Sequence, residues 1–342
     1  MALTVAFALT FTLTACGGQT PTSDDTTEDG GNLPGGFENE VGAGRAINLG
    51  FEGGLCQAAI PLAHVLGYFE DEGLNSEIVI TGDLVSSRDA LAAGNIDTVA
   101  GMLAGWFVPV TQGMDIRFVQ GLHTGCSSAF VLADADISAL EAGQTVAVSG
   151  AIGGAFHNIA LRFAYRAGLT PDDLDFRDFP AAEAVAALQQ GDVQVAVIPD
   201  QVGQRFVQEG TLKVIRSLTD ADFAADNCCV LGLAGSFIDE NPETSERIAR
   251  AIFRASQFIN ESDDNKTQAL NLLIEHEYIS SGIDVEYMVG LMGNWRWGVP
   301  HDLVEQTLFT SIDEYQAMGV ISPALAPADI QSQVWYPLGI DE

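Results

Sequence analysis

The sequence predicts an α/β protein of two lobes, each a mixed, mostly parallel sheet flanked by helices. From Arg45 onward, short apolar runs alternate with amphipathic stretches that stop at glycine, the rhythm of βαβ units. That rhythm runs once to about residue 133, starts again at Thr145, and then gives way to helices alone. Size agrees: roughly 300 residues follow residue 44, and 47% of the chain is apolar, enough for one large domain or two lobes with their own cores.

Strand 46–51 opens the first block. Helix 57–72 follows, closed by Gly73 in the left-handed stop position. Strand 77–81, helix 85–93 ending at Gly94, strand 96–100 and a helix near 103–111 continue it. Strands 116–121 and 129–133 complete it. The second block reads strand 145–149, helix 154–167 before Gly168 and Pro171, strand 174–178, and helix 181–190 closed by Gly191. Strand 195–198, helix 201–209 closed by Gly210, and strands 212–216 and 229–233 follow. Helices 243–260, 266–276, 285–292 and 301–318 end the chain. The expected division is lobe 1 over 45–133 and 229–342 and lobe 2 over 134–228. The crossovers fall near 129–134 and 227–233. Ligands of open α/β sheets sit beyond the carboxyl ends of strands, so two such edges facing one another form a cleft.

The N-terminus is of another kind. Residues 1–15 are apolar and end Leu13-Thr14-Ala15 before Cys16-Gly17-Gly18, the pattern of a bacterial lipobox. A run of ~15 apolar residues is short for a ~30 Å hydrocarbon core and has the length of a signal h-region. The expectation is a lipoprotein signal peptide, lipidation at Cys16 and an extracytoplasmic, lipid-anchored protein. No Lys or Arg precedes the apolar stretch, and the plain alternative is an apolar terminus with a chance cysteine. Residues 16–44, rich in Gly, Thr and acids, are expected to be a disordered acidic tether.

Charge narrows the partners. With 47 acidic against 14 basic residues the formal net charge is −33, which argues against nucleic acid, whose phosphates need clustered Lys and Arg. No later segment approaches a membrane span.

Several motifs then point to a family. Ile47-Asn48-Leu49-Gly50-Phe51, Ala59-Ile60-Pro61-Leu62-Ala63 and Leu66-Gly67-Tyr68-Phe69-Glu70-Asp71-Glu72-Gly73-Leu74 lie in order along the first block. Ala90-Leu91-Ala92-Ala93-Gly94-Asn95-Ile96-Asp97 follows, and the second block carries Val146-Ala147-Val148-Ser149-Gly150 with Gly153-Gly154 and Ala187-Leu188-Gln189-Gln190-Gly191-Asp192-Val193. Over about residues 45–325 this order resembles the nitrate/sulfonate/taurine-type substrate-binding proteins of ABC importers. The resemblance implies a periplasmic-binding-protein fold of the second type, capture of a small solute, and delivery to permease and ATPase subunits. It implies no cofactor, and a monomer is expected. The chain departs from anion binders in that its strand-end loops carry Glu52, Asp83, Asp200 and Asp226 while Arg88, inside a helix, is the nearby base. An anion would still find free N–H groups at the helix after Gly153-Gly154, but without a bidentate Arg a neutral or cationic ligand is equally expected.

The candidate ligand-binding residues are Phe51, Glu52, Cys56, Gln57, His123, Cys126, Gly153, Gly154, Ala155, Asp200, Cys228, Cys229 and Trp295. Four cysteines besides Cys16 fall at strand ends facing the cleft, and Cys126 is expected near Cys228 or Cys229. Three readings stay open: a disulfide across the crossing strands, buried free thiols, or a thiol cluster with His123 that contacts the ligand or a soft metal. No CxxC or HxxxH spacing supports a zinc site, so no metal ligand is assigned. His157 is weighed as an anion contact, while His64, His276 and His301 are expected to be structural. Arg247, Arg250 and Arg254 are expected on a solvated helix face. Trp295 is weighed between cleft lining and lobe packing, and Phe176-Arg177-Asp178-Phe179 is expected to be an ordinary strand end. There is no Gly-x-Ser-x-Gly elbow and no P-loop, so an enzyme is not expected. A thiol-dependent soft-metal binder, a lipid-anchored Cys/His hydrolase and a solute sensor are the weaker readings.

Overall fold

The structure, a computed structural model, describes residues 36–338. The expected signal peptide and Cys16 lie outside the described residues, as does most of the tether. Residues 37–44, expected as tether, are instead part of the fold. Phe37 is buried, the Glu40 carboxylate accepts the Glu243 and Thr244 N–H groups at 2.9 and 2.7 Å, and Gly42 N–H donates to Asn241 Oδ1 at 2.7 Å.

Strand β1 (Ala46–Phe51) leads into helices α1 (Ala59–Val65) and α2 (Tyr68–Asp71). The pattern predicts a single helix here; Gly67 at φ 74° breaks it. Strand β2 (Asn75–Ile80), helix α3 (Leu84–Ala92) and β3 (Thr98–Met102) follow, then α4 (Phe107–Thr111) and β4 (Arg117–Thr124). The second sheet is made from β5 (Ser127–Leu132), β6 (Thr145–Ser149), β7 (Asp175–Phe179), β8 (Val195–Pro199) and β9 (Leu212–Ser217), with helices α5 (Ala155–Arg166), α6 (Ala181–Gln190) and α7 (Asp200–Gln208) between them. Strand β10 (Asn227–Leu233) returns to the first sheet. Helices α8 (Gly235–Glu240), α9 (Pro242–Glu261), α10 (Asp263–Glu275) and α11 (Val285–Met292) follow, then the short β11 (Trp297–Val299), α12 (His301–Ala317) and α13 (Pro327–Val334).

The first sheet runs β11-β4-β10-β3-β1-β2 and the second β7-β6-β8-β5-β9. Pairs made by βαβ units are parallel: β1 with β2 and β3, β6 with β7 and β8. The two crossing strands insert antiparallel, β10 between β3 and β4, β5 between β8 and β9. Each sheet is therefore mixed. The chain changes sheets at Gly125-Cys126, not near 129–134, because β5 already pairs in the second sheet. It returns over residues 218–226, just before β10.

One large core of buried residues spans the first sheet, its helices and part of the second sheet. A smaller one, built on Phe130, Val185, Leu188 and Ile198, fills the far face of the second sheet. Arg247, expected in solvent, is buried: its guanidinium lies 4.0 Å over the Phe37 ring and donates to the Glu72 carbonyl at 2.7 Å. Arg250 pairs with Glu72 and Arg254 with Asp71, so this helix face packs on α2. Among the described residues no helix is long and apolar enough to cross a membrane.

Candidate functional site

The site grows out of the place where the chain changes sheets. At the end of β1, Glu52 N–H donates to Gln57 Oε1 at 2.8 Å, and Gln57 Nε2 donates to the Ala100 carbonyl at 2.6 Å. This folds loop 52–57 over the end of β3 and brings Cys56 inward. Phe51, at the strand end, is fully buried with its ring edge against Tyr278.

Gly125 and Cys126 both sit at φ 83°, a left-handed conformation that costs a non-glycine residue roughly 1 kcal/mol or more. Gly125 is required twice over: a Cβ there would lie 2.6 Å from Trp295 Cδ1. On the returning strand, the β4–β10 register shifts between Asn227 and Cys229 and again between Cys229 and Val230. Such an irregularity breaks the alternation of side chains. Adjacent cysteines can then face one cluster.

The ligand atoms of Cys56, His123, Cys126 and Cys229 all lie within 4.8 Å of one another. The Sγ atoms of Cys126 and Cys228 are 2.7 Å apart, and all four cysteines are free thiols. Cys126, Cys228, Cys229 and His123 are buried, and Cys56 is half-buried. His123 packs against Trp295 and Trp297, at 5.0 and 4.9 Å between ring centroids, and the two indoles also meet each other at 5.9 Å. Its Nδ1 lies 3.0 Å from the Thr124 carbonyl, which only accepts, so Nδ1 carries the proton. Nε2 is buried with no hydrogen-bond partner among the described residues.

The thiols do not behave alike. Hydrogen bonds from Cys126 and Cys229 hold the Cys56 thiol well below its ordinary range, with His123 adding to the effect. Burial opposes ionisation of Cys228, yet Cys126, Cys229 and the His123 charge bring it down to about 5. Burial pushes Cys126 and Cys229 well up. The cluster thus sets two thiols of lowered pKa beside two of raised pKa, and a lowered pKa favours nucleophilic or metal-binding sulfur.

Two carboxyl groups flank it. Asp200, at the start of α7, donates its N–H to the Cys126 carbonyl at 3.0 Å, and burial pushes its carboxyl up to about 7. Glu52 is likewise pushed up to about 7 by burial. Asp200 Oδ1 and Glu52 Oε1 have no hydrogen-bond partner among the described residues.

Arg88 lies beyond Glu52, on the face of α3 that also presents Leu84. Its guanidinium lies 5.1 Å over the Trp106 ring and donates to the Gly105 carbonyl. Burial lowers its pKa, and the nearby Glu52 charge opposes that. A Cβ on Gly105 would lie 3.3 Å from the Ala155 Cβ, so Ala155 at the start of α5 abuts this second patch. In the sequence Arg88 stands out only as a base within a helix. Its i,i+4 spacing from Leu84 is the signal that places both on one helix face.

Gly153 and Gly154 stand apart from the cysteines. Gly153 is exposed, its N–H donated to His157 Nδ1 at 3.2 Å, and Gly154 N–H goes to Ala151. These two N–H groups and His157 are therefore already engaged. His64 bonds Ser76 at 2.8 Å, His276 stacks on Tyr278, and His301 meets Trp335 edge-on. Trp297, inconspicuous in the sequence, is fully buried and pairs with His123 across the β4–β11 ladder.

Two mixed α/β sheets joined by a pair of crossing strands, with buried polar groups gathered at the crossing, define the two-lobed periplasmic-binding-protein architecture. The chain belongs to the NMT1-like family, whose model matches residues 43–274. No curated protein matches it. Among solved structures, the periplasmic aliphatic sulphonate binding protein SsuA from Escherichia coli aligns with a TM-score of 0.69 at 18% identity, over 87% of this chain and 94% of that one. The periplasmic nitrate-binding protein NrtA from Synechocystis PCC 6803 aligns at 0.67 and 16%, over 85% and 86%. A ligand-binding component of an ABC-type import system from Staphylococcus aureus, solved with zinc bound, aligns at 0.68 and 15%, over 86% and 97%. The nitrate/sulfonate/taurine-type resemblance read from the sequence stands with these findings. The named neighbours are binding proteins, not enzymes.

Proposed function

We propose that the chain is the extracytoplasmic solute-binding protein of an ABC importer. Tethered to the membrane through a lipid on Cys16, it closes on a small organic solute between two lobes and hands it to a permease with its ATPase. The lobes meet at Gly125-Cys126 and at residues 218–226, and the closed form gains contacts that the open form lacks, so ligand shifts the population towards closure.

The observation that carries this reading is a set of buried polar atoms from both sheets, gathered at one place and without a partner among the described residues. Glu52 Oε1, Trp106 Nε1 and Trp295 Nε1 come from the first sheet and its loops, Asp200 Oδ1 from the second. Buried polar groups in folded proteins are otherwise paired, and leaving each unpaired costs about 1–3 kcal/mol. A ligand that bonds to them removes that cost. Two carboxyl groups beside a single arginine favour a neutral or cationic solute over a bare nitrate or sulfonate.

The test is a thermal-shift panel on the full chain with sulfonates, nitrate, pyrimidines and amines, run in chelator and reductant. A solute at about 100 times its dissociation constant stabilises by ~2.7 kcal/mol. The expected result is a shift with one organic solute that disappears in Glu52→Gln and Asp200→Asn. A panel with no shift at all overturns the proposal.

A further inference from the structure

Hydrogen bonding to an organic solute does not account for three cysteines and an imidazole drawn together at the crossing. We propose that Cys56, His123, Cys126 and Cys229 form a binding site for one thiophilic d10 cation, with Zn²⁺ the ion whose coordination they match. The site stands or falls independently of solute capture.

Donor type, number and spacing agree. Three sulfurs and one imidazole nitrogen are a tetrahedral Cys3His set, and soft thiolates select Zn²⁺ or Cu⁺ over hard cations. Around one Zn²⁺ such donors stand roughly 3.5–3.8 Å from each other; here all four fall within 4.8 Å of one another before any ion draws them in. They come from three stretches of the chain: the loop after β1, the His123–Cys126 stretch where β4 runs into the crossing turn, and β10. Only His123 and Cys126 are neighbours in sequence. The left-handed backbone at Cys126 and the register shifts around Cys229 are the local irregularities that let them converge.

The surroundings of the donors fit as well. A metal-bound imidazole characteristically gives its other N–H to a carbonyl, which fixes tautomer and orientation. His123 does this through Nδ1 to Thr124 at 3.0 Å, leaving the buried Nε2 lone pair turned to the thiols, with Cys56 its interacting neighbour. The Trp295 and Trp297 rings hold the imidazole in place. Cys56, in the loop after β1, is the least buried residue of the four.

Cys228 supplies the competing chemistry, because its Sγ lies 2.7 Å from that of Cys126. Two-electron oxidation by dissolved O₂, which would join the two sulfurs with loss of both thiol protons, would remove Cys126 from the donor set, so the thiols must be reduced for the site to fill.

The experiment uses the full chain, purified in reductant and stripped with chelator, with Co²⁺ as the first probe. One Co²⁺ per chain is expected, with sulfur-to-metal charge-transfer absorption and the intense visible bands of a tetrahedral ion, both lost when Zn²⁺ is added. Cys56→Ser and Cys229→Ser should each weaken Zn²⁺ binding by more than ~100-fold, beyond the 10–100-fold typical of changes to groups behind the ligands. Cys56 lies in a loop, so its variant tests the site even if Cys229→Ser fails to fold. Uptake of Cu⁺ in place of Zn²⁺ also supports the site and identifies its ion. No uptake of any of these ions by the reduced protein overturns the proposal, as does uptake unchanged in both serine variants. A solute-induced shift in chelator without metal uptake sinks the metal site and leaves solute capture standing; metal uptake without a solute shift does the reverse.

Discussion

Arg162 on α5 pairs with Asp226 in the returning crossing at 2.7 Å, and the same guanidinium donates to Glu314 on α12. Arg166 adds a second bond to Glu314 at 2.6 Å. One ring serves three cations: the guanidinium carbons of Arg162, Arg166 and Arg216 lie 5.1, 4.6 and 4.6 Å from the Phe223 centroid. A helix of the second sheet is thus fastened to a helix of the first beside the segment that joins them. Removing one partner of a buried ion pair leaves the others uncompensated and costs about 3–5 kcal/mol. Arg162→Met should lower unfolding free energy by that amount in urea titration, and adding Glu314→Gln should restore part of it. An unchanged midpoint would show that the network contributes nothing net.

Asn158 makes a smaller clasp of the same kind. Its Nδ2 donates to the Ala104 carbonyl at 2.8 Å, in the interior, joining α5 to the turn after β3. A net hydrogen bond of about 1 kcal/mol favouring the closed form corresponds to roughly a five-fold change in its population. Asn158→Ala should therefore weaken solute affinity about five-fold while leaving the two sheets intact. Small-angle scattering of the ligand-free variant should report a larger radius of gyration. Affinity equal to that of the unaltered chain would place this bond outside the closing motion.

The crossing turn is sensitive to a single methyl group. Gly125→Ala combines a left-handed φ with a clash against Trp295, and strain at such a site exceeds about 1 kcal/mol. A lower melting temperature is expected, together with a shifted tryptophan emission as the Trp295–His123 stack is displaced. Retention of both would mean that the turn relaxes without cost.

The two raised carboxyl groups set a pH dependence. Glu52 and Asp200 move from 4.5 and 3.8 to about 7 on folding, so between those values the folded state binds more protons than the unfolded one. Stability is then fullest below pH 4 to 5 on their account and falls as pH rises towards 7, because a proton held more tightly by the folded chain stabilises it only while that proton is bound. The Cys56 and Cys228 thiols, lowered on folding, act in the opposite sense over the same range, so the test is a difference: Glu52→Gln with Asp200→Asn should gain melting temperature relative to the unaltered ligand-free chain as pH rises from 5.5 to 7.5. A difference that does not grow over this range would refute the assignment.

Strand β1 and helix α6 are legible to the residue, because an apolar run bounded by polar ones, and a helix closed by Gly191, are local signals. That Cys126 lies close to one of Cys228 and Cys229 is legible from topology alone; which of them is not. What escapes depends on distance in sequence. The switch of sheets at Gly125-Cys126 is hidden because β5 is apolar enough to belong to either sheet. Arg247 reads as solvated because three spaced arginines look alike, whereas Phe37 and Glu72, which bury it, lie far away in the chain. The three-residue β11 carries too little pattern to register, yet it brings Trp297 alongside His123.

The strand order of the first sheet has a kinetic consequence. Strand β10 lies between β3 and β4, and Cys228 follows Cys126 by 102 residues. During synthesis β3 and β4 emerge as neighbours in sequence but stay unconnected until β10, made after the whole second sheet, inserts between them. Contacts of such long range are slow to form because the loop must close first. The first sheet therefore stays open throughout synthesis of the second, and a polypeptide that cannot finish folding early stays threadable for longer.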